Sequence, residues 1–134
     1  MQSSSTSAPT AVVVEDEWIL RAEIADALLE SGWRVASFPT GESALAYAKA
    51  GLRVDVLITD IRLSGAVTGW DVATEFRNVD DKIGVIYCSG NADSDVRRVT
   101  DAVFVSKPCP VEQLIAIAAQ MAERHSRAGT YRSA

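Results

Sequence analysis

Acidic, hydroxyl and ammonium side chains each follow an apolar stretch of this sequence. Four such stretches occur, and the side chains that follow them are Glu15 and Asp16, Asp60, Ser89, and Lys107. If the stretches are neighbouring parallel strands, their carboxyl ends gather these groups at one edge, where open α/β sheets bind ligands. Clustered carboxylates repel one another and call for a divalent cation. With a cation bound, such a site could accept a phosphoryl group.

Oxygen donors of this kind favour Mg²⁺, a hard octahedral ion that keeps several water ligands. We expect Asp16 and Asp60 to bind the ion directly and Glu15 to bind it through water. The backbone carbonyl of Arg62, just past Asp60, could supply another oxygen.

A carboxylate such as that of Asp60 can attack phosphorus and form an acyl phosphate. The charge of the new group must then be balanced. We expect Lys107 to pair with one phosphoryl oxygen and Ser89 to donate a hydrogen bond to another, which is catalysis by positioning and electrostatics.

The apolar pattern predicts five strands that alternate with helices. Short β-branched runs are typical of strands buried on both faces, and apolar residues at helical spacing indicate the helices. The predicted strands are residues 11–14, 34–38, 54–59, 83–88 and 102–105. The predicted helices are residues 17–30, 40–50, 69–78, 93–99 and 110–124. This alternation favours a doubly wound parallel sheet with helices on both faces.

The bulk properties predict a single cytoplasmic domain. Its 134 residues divide into a disordered lead over 1–9, a domain over 10–124 and a flexible tail over 125–134. A net charge of −5 without a basic block predicts no nucleic-acid or anionic-membrane partner. There is no signal-peptide pattern and no apolar run of membrane-spanning length.

The two cysteines and the single histidine receive no chemical role from the sequence. Cys88 and Cys109 form no metal-binding or framework pattern and suit a reducing compartment. Cys88 is interpreted as a small buried hydrophobe. His125 lies in the predicted tail, where we expect a structural or incidental role.

Four short segments, in this order and spacing, resemble the receiver domain of two-component response regulators. They are Val13-Val14-Glu15-Asp16-Glu17, Thr59-Asp60, Cys88-Ser89-Gly90 and Ser106-Lys107-Pro108. The resemblance covers about residues 10–123. It implies a flavodoxin-like (βα)5 fold with strand order 2-1-3-4-5. It also implies that Asp60 takes a phosphoryl group from the phosphohistidine of a histidine kinase.

The resemblance assigns a role to each residue of the site. Glu15 and Asp16 would hold Mg²⁺, and Lys107 would pair with the phosphoryl group. Ser89 would be the switch hydroxyl. Phe104, three residues before the lysine, would be the aromatic that swings inward when that hydroxyl moves.

The resemblance also implies a cis peptide bond between Lys107 and Pro108, a geometry that only about 5% of X–Pro bonds adopt.

Three departures from the common receiver pattern have consequences. Ser64 replaces a common proline and Gly69 comes one residue late, which resembles the loop of some single-domain receivers that answer HWE-type kinases in alphaproteobacteria. The interval from Ser89 to Lys107 is about one helical turn short, which predicts a shortened fourth helix. Arg62 is bulky and cationic, and is predicted to lie over the site and alter the phosphoryl lifetime.

The leading functional hypothesis is a stand-alone receiver. About ten residues follow the predicted last helix, so output is expected through protein–protein interaction or through action as a phosphate sink. The expected partners are a sensor histidine kinase or a phosphotransfer protein. The chain is expected to be a monomer or a weak phosphorylation-dependent dimer. No enzymatic turnover is expected beyond Mg²⁺-dependent self-phosphorylation and autodephosphorylation.

Two other functions stay open at this point. A pseudo-receiver would bind partners without phosphorylation, which the shortened fourth helix allows. An aspartyl-nucleophile phosphatase that resembled the haloacid dehalogenase family would carry a second aspartate two residues after Asp60, where this chain has Arg62. A nucleotide-binding Rossmann protein is disfavoured because Glu15-Asp16-Glu17 stands where a glycine-rich loop would be needed.

Overall fold

Five parallel strands form one sheet, in which the strands, numbered in chain order, are arranged 2-1-3-4-5. The computed structural model describes residues 8–90 and 97–133, with side chains described as far as residue 128. The strands are β1 (Thr10–Val14), β2 (Arg34–Phe38), β3 (Val56–Asp60), β4 (Gly84–Ser89) and β5 (Val103–Ser106). The predicted strand order is therefore confirmed, and strand order reverses between β1 and β3, beside the predicted site.

Four helices cover the sheet within the described residues. They are α1 (Trp18–Glu30), α2 (Gly41–Lys49), α3 (Gly69–Val79) and α4 (Val111–Ser133). Residues 93–96 of the predicted short helix over 93–99 lie outside the described residues. So do residues 1–7 of the predicted lead over 1–9. None of the described helices combines the length and hydropathy that crossing a membrane requires.

Each face of the sheet is covered by its own apolar layer. The layer beneath α2 and α3 contains Leu57, Trp70, Phe76, Ile83 and Tyr87. The layer beneath α1 and α4 contains Ile24, Leu28, Ile58, Ile86 and Leu114. A fully buried side chain of this size contributes about 1.5–3 kcal/mol, so the two layers hold the strand ends in a fixed relative position.

The C-terminal helix corrects the predicted boundary at residue 124. We expected a flexible tail from residue 125, but α4 continues to Ser133. Met121, on the predicted apolar face of this helix, is buried together with Ala122. His125 is also buried one turn later, and it bonds to two carboxylates of the domain. The structural role expected for His125 is thus observed.

Candidate functional site

Three carboxylates meet where β1 and β3 end. One oxygen each from Glu15, Asp16 and Asp60 lies within 4.8 Å of the others. Glu15 and Asp60 are buried, whereas Asp16 is exposed. Carboxylates at this spacing repel one another in a partly dry site, and an all-oxygen donor set suits a hard divalent ion. The residues present therefore fit Mg²⁺ by their chemistry.

Lys107 reaches this cluster from the end of β5. Its Nζ lies 2.9 Å from Oδ2 of Asp60 and 3.0 Å from Oε1 of Glu15. Burial alone would lower the pKa of Lys107, but the hydrogen bonds to Asp60 and Glu15 outweigh it and raise the pKa. The ammonium therefore stays charged and neutralises part of the acidic cluster.

Glu15 is the most enclosed of the three acids. Burial raises the pKa of Glu15 above its ordinary value, although the Glu17 N–H and Lys107 both donate to its carboxylate and oppose the shift. The backbone carbonyl of Glu15 also accepts a hydrogen bond of 2.8 Å from Arg21, which lies on α1. Glu15 is thus held by the start of α1 as well as by the lysine.

Asp60 is positioned by the loop that follows it. The N–H of Arg62 donates to Oδ1 of Asp60 at 3.3 Å, while Oδ2 faces Lys107. Gly69, the first residue of α3, packs directly on this turn and donates its N–H to the carbonyl of Ile61 at 2.7 Å. A Cβ at position 69 would overlap the backbone oxygen of Asp60. The close approach of this backbone therefore requires glycine at position 69.

Thr68 explains why α3 begins at residue 69. Its hydroxyl accepts a hydrogen bond from the Asp71 N–H, and the carboxylate of Asp71 accepts one from the Thr68 N–H. This reciprocal cap satisfies two free donors at the start of the helix. The cap fixes the far end of the loop that begins at Asp60.

Two predictions about this loop remain predictions. The side chain of Arg62 is exposed, and its proposed effect on phosphoryl lifetime is untested. Its backbone carbonyl likewise stays a predicted Mg²⁺ ligand. Ser64 donates a hydrogen bond of 2.9 Å to Oδ2 of Asp16, a contact that no pattern in the sequence predicts. Ser64, at the common proline position, thus contacts one of the predicted metal ligands.

Ser89 and Lys107 lie side by side at the edge of the sheet. Ser89 is buried and pairs in register with Ser106 of β5. The N–H of Lys107 donates to the Ser89 carbonyl at 2.8 Å. The peptide bond between Lys107 and Pro108 is cis, in agreement with expectation. The backbone therefore keeps the hydroxyl and the ammonium on adjacent strands.

Phe104 lies in a cluster of three aromatic rings. Its ring centroid is 5.0 Å from that of Tyr87 and 6.0 Å from that of Trp70. The Tyr87 hydroxyl accepts a hydrogen bond of 3.1 Å from the N–H of Val99, and Arg98 lies over the Phe104 ring at 5.4 Å. Sequence analysis predicted a role for Phe104 but not its contact with Tyr87, because no spacing pattern distinguishes one buried aromatic on a strand from another.

Cys88 and Cys109 form a disulfide, which the sequence did not predict. Cys88 directly precedes Ser89, and Cys109 directly follows Pro108. The indication of this pairing in the sequence is that both cysteines adjoin segments expected at one edge of the sheet.

The model of the response regulator receiver domain matches residues 11–119. The chain belongs to this receiver family. A receiver protein from Sinorhizobium medicae WSM419 superposes with a TM-score of 0.83 and 30% identity, covering 88% of this chain and 97% of that one. The receiver domain of the hybrid histidine kinase CckA gives a TM-score of 0.73 and 26% identity, covering 84% of this chain and 98% of that domain.

A relative of known sequence is the probable transcriptional regulatory protein TcrX of Mycobacterium tuberculosis (strain ATCC 25618 / H37Rv). It is 28% identical over 111 residues, which make up 79% of this chain and 46% of TcrX. The chain therefore spans less than half the length of this relative. The chain is thus a response regulator receiver domain of a two-component system, with an acidic pocket typical of phosphorylation.

Proposed function

We propose that the protein accepts a phosphoryl group on Asp60 from the phosphohistidine of a histidine kinase or of a phosphotransfer protein. The observation that carries the proposal is the position of Lys107, whose Nζ lies 2.9 Å from Asp60 and 3.0 Å from Glu15 within the carboxylate cluster. A buried nucleophilic carboxylate with an adjacent fixed cation is suited to receive an anionic phosphoryl group.

In the proposed reaction, a carboxylate oxygen of Asp60 forms a bond to phosphorus as the phosphorus–nitrogen bond of the phosphohistidine breaks. The released imidazole takes up a proton. Lys107 then pairs with a phosphoryl oxygen in place of the Asp60 carboxylate, and the Ser89 hydroxyl donates to another. Glu15, Asp16 and Asp60 would hold Mg²⁺, which would offset the negative charge of the transferred group.

Further features of the proposal concern how the protein acts in the cell. It functions in the cytoplasm as a monomer or weak phosphorylation-dependent dimer. It signals by protein–protein contact or drains phosphoryl groups from a shared kinase, and the cognate kinase is of the HWE type. It turns over no external substrate beyond self-phosphorylation and autodephosphorylation. The Ser64 and Gly69 positions of the β3–α3 loop support the kinase assignment.

Intact-mass spectrometry after incubation with acetyl phosphate and Mg²⁺ tests the phosphorylation. We expect one base-labile phosphoryl group on the wild type and none on Asp60→Asn, because an amide is a poor nucleophile. Asp26→Asn is the matched control, since Asp26 is exposed on α1. Equal labelling of Asp60→Asn and wild type would contradict the proposal. A wild type that takes no label would favour a pseudo-receiver.

A further inference from the structure

The disulfide between Cys88 and Cys109 is not used by the proposed phosphoryl transfer. The two cysteines are 21 residues apart, and their Cα atoms are 6.9 Å apart. Cys88 belongs to β4, and Cys109 lies in the connection from β5 to α4. Neither cysteine is a free thiol in the part of the chain that the structure describes.

The bond joins the two segments that carry the proposed switch hydroxyl and the proposed phosphate-pairing ammonium. Ser89 is the next residue after Cys88, and Lys107 is two residues before Cys109. These segments already meet through the hydrogen bond from the Lys107 N–H to the Ser89 carbonyl. The disulfide therefore adds a covalent link where the relative position of the two catalytic groups is determined.

We propose that this cysteine pair is a redox-reversible modification site whose oxidised form slows phosphorylation of Asp60. The inference rests on the proposed function. To reach a phosphoryl oxygen, Lys107 must leave a position in which it contacts both Glu15 and Asp60. The Ser89 hydroxyl must turn towards the same group. A cross-link that ties both segments together opposes these movements.

The proposed chemistry is thiol–disulfide exchange with a dithiol, either a small molecule or a protein with paired cysteines. Cys109 is partly exposed whereas Cys88 is 2% exposed, so the incoming thiolate attacks the Cys109 sulfur. The sulfur–sulfur bond breaks and the Cys88 sulfur leaves as a thiolate that takes up a proton. The second thiol of the reductant then releases Cys109. Two electrons pass to the protein, and the reductant becomes a disulfide.

The proposed cytoplasmic location fits a regulatory role for this bond. Structural disulfides are rare in reducing compartments, where those that form are mostly transient, catalytic or redox-sensing. The bond also spans the joint between β4 and the loop before α4, and hydrogen bonds and two apolar layers already stabilise this region. We therefore expect the domain to stay folded when the disulfide is reduced.

Labelling rates measured in each redox state test the inference. The protein is equilibrated with reduced or oxidised dithiothreitol, its thiols are counted by alkylation and mass spectrometry, and acetyl phosphate labelling is then followed in time. We expect the oxidised form to be labelled at least about fivefold more slowly than the reduced form, within the usual range of coupling between two sites. Cys109→Ala should match the reduced wild type in both buffers. Cys88→Ala provides the same comparison if Cys109→Ala does not fold.

The outcomes separate this inference from the proposed function. Equal and measurable labelling in the two redox states would overturn the coupling and leave phosphorylation of Asp60 intact. Two alkylatable thiols that persist in oxidised dithiothreitol would overturn the modification site itself. Absence of labelling in both states would overturn the proposed function together with the coupling.

Discussion

Lys107 is the residue on which the electrostatics of the site depend. It is the cation that contacts both buried acids, Glu15 and Asp60, and those acids raise its pKa against the effect of burial. In the proposed reaction, the same ammonium would compete with a metal ion for the carboxylates and would attract the phosphoryl group. Its removal should therefore slow labelling without weakening Mg²⁺ binding.

Lys107→Met should slow labelling of Asp60 by about 100-fold, the usual loss when one donor to a developing oxyanion is removed. Mg²⁺ affinity, measured by titration calorimetry, should be unchanged or higher because a competing positive charge is gone. Lys82→Met is a suitable control, since Lys82 is surface-exposed and remote in sequence from Glu15 and Asp60. A parallel loss of metal binding and labelling would indicate that the site has collapsed, and would argue against this separation of roles.

At the scale of elements, the turn between β3 and α3 depends on close backbone packing. Gly69 lies where a Cβ would meet the Asp60 oxygen and would come within 2.8 Å of the Ile61 Cα. Rigid backbone, rather than a flexible side chain, occupies that space. A larger residue must therefore displace either the start of α3 or the backbone of Asp60 and Ile61.

Gly69→Ala should lower the free energy of unfolding by about 1–3 kcal/mol, as overpacking does, and should also slow labelling of Asp60. Urea unfolding and acetyl phosphate labelling are the two measurements. Thr74→Ala is the control, because Thr74 is exposed on the same helix. If Gly69→Ala were as stable and as reactive as the control, the packing argument would fail.

The gathering of the site residues could be predicted from sequence because it follows from strand direction alone. Once the strands are parallel, the residues after β1, β3, β4 and β5 meet at one edge, whatever the details of the loops. Glu15, Asp60 and Lys107 are each within a residue of a strand end, and so their positions were predictable.

Contacts that depend on loop conformation or register could not be predicted in this way. The hydrogen bond from Ser64 to Asp16 joins residues 48 positions apart and requires one particular loop path. The pairing of Cys88 with Cys109 requires the register of β4 against β5 and the course of the chain past Pro108. Such contacts result from the assembled fold rather than from any local pattern.

At the scale of the whole molecule, His125 fastens α4 to the sheet. Its Nδ1 lies 2.7 Å from Oδ1 of Asp55, beside the start of β3, and its Nε2 lies 2.7 Å from Oδ2 of Asp80, at the end of α3. Arg53 also pairs with Asp55, and the Thr10 N–H donates to the same carboxylate. This network extends the helix past its predicted end.

The network makes stability depend on pH in two windows. Hydrogen bonding to Asp55, which outweighs burial, raises the pKa of His125 above 6.5. The contribution of His125 to stability is therefore complete below pH 6.5 and is lost as pH rises through its folded-state pKa. Burial would raise the pKa of Asp55, but its bonds to His125 and Arg53 lower it to about 2. The contribution of Asp55 to stability, about 2 kcal/mol, is present above its ordinary pKa of 3.8 and is lost as pH falls towards 2.

Urea unfolding of wild type and His125→Gln should show this dependence. We expect the wild type to lose stability as pH rises above about 6.5, and the variant to lose less over the same range. The chain has a single histidine, so no other imidazole contributes to the difference. Parallel pH profiles for the two proteins would show that His125 is not the titrating group.

The location of the phosphoryl group is the decisive observation for the proposed function. A phosphorylated histidine phosphotransfer protein would be mixed with the receiver in Mg²⁺ or in chelator, the product reduced with borohydride, and the peptides sequenced by mass spectrometry. Reduction converts an acyl phosphate into an alcohol at the modified residue. We expect conversion of Asp60 that requires Mg²⁺. Conversion at another residue, or labelling of Asp60 that persists in chelator, would contradict it.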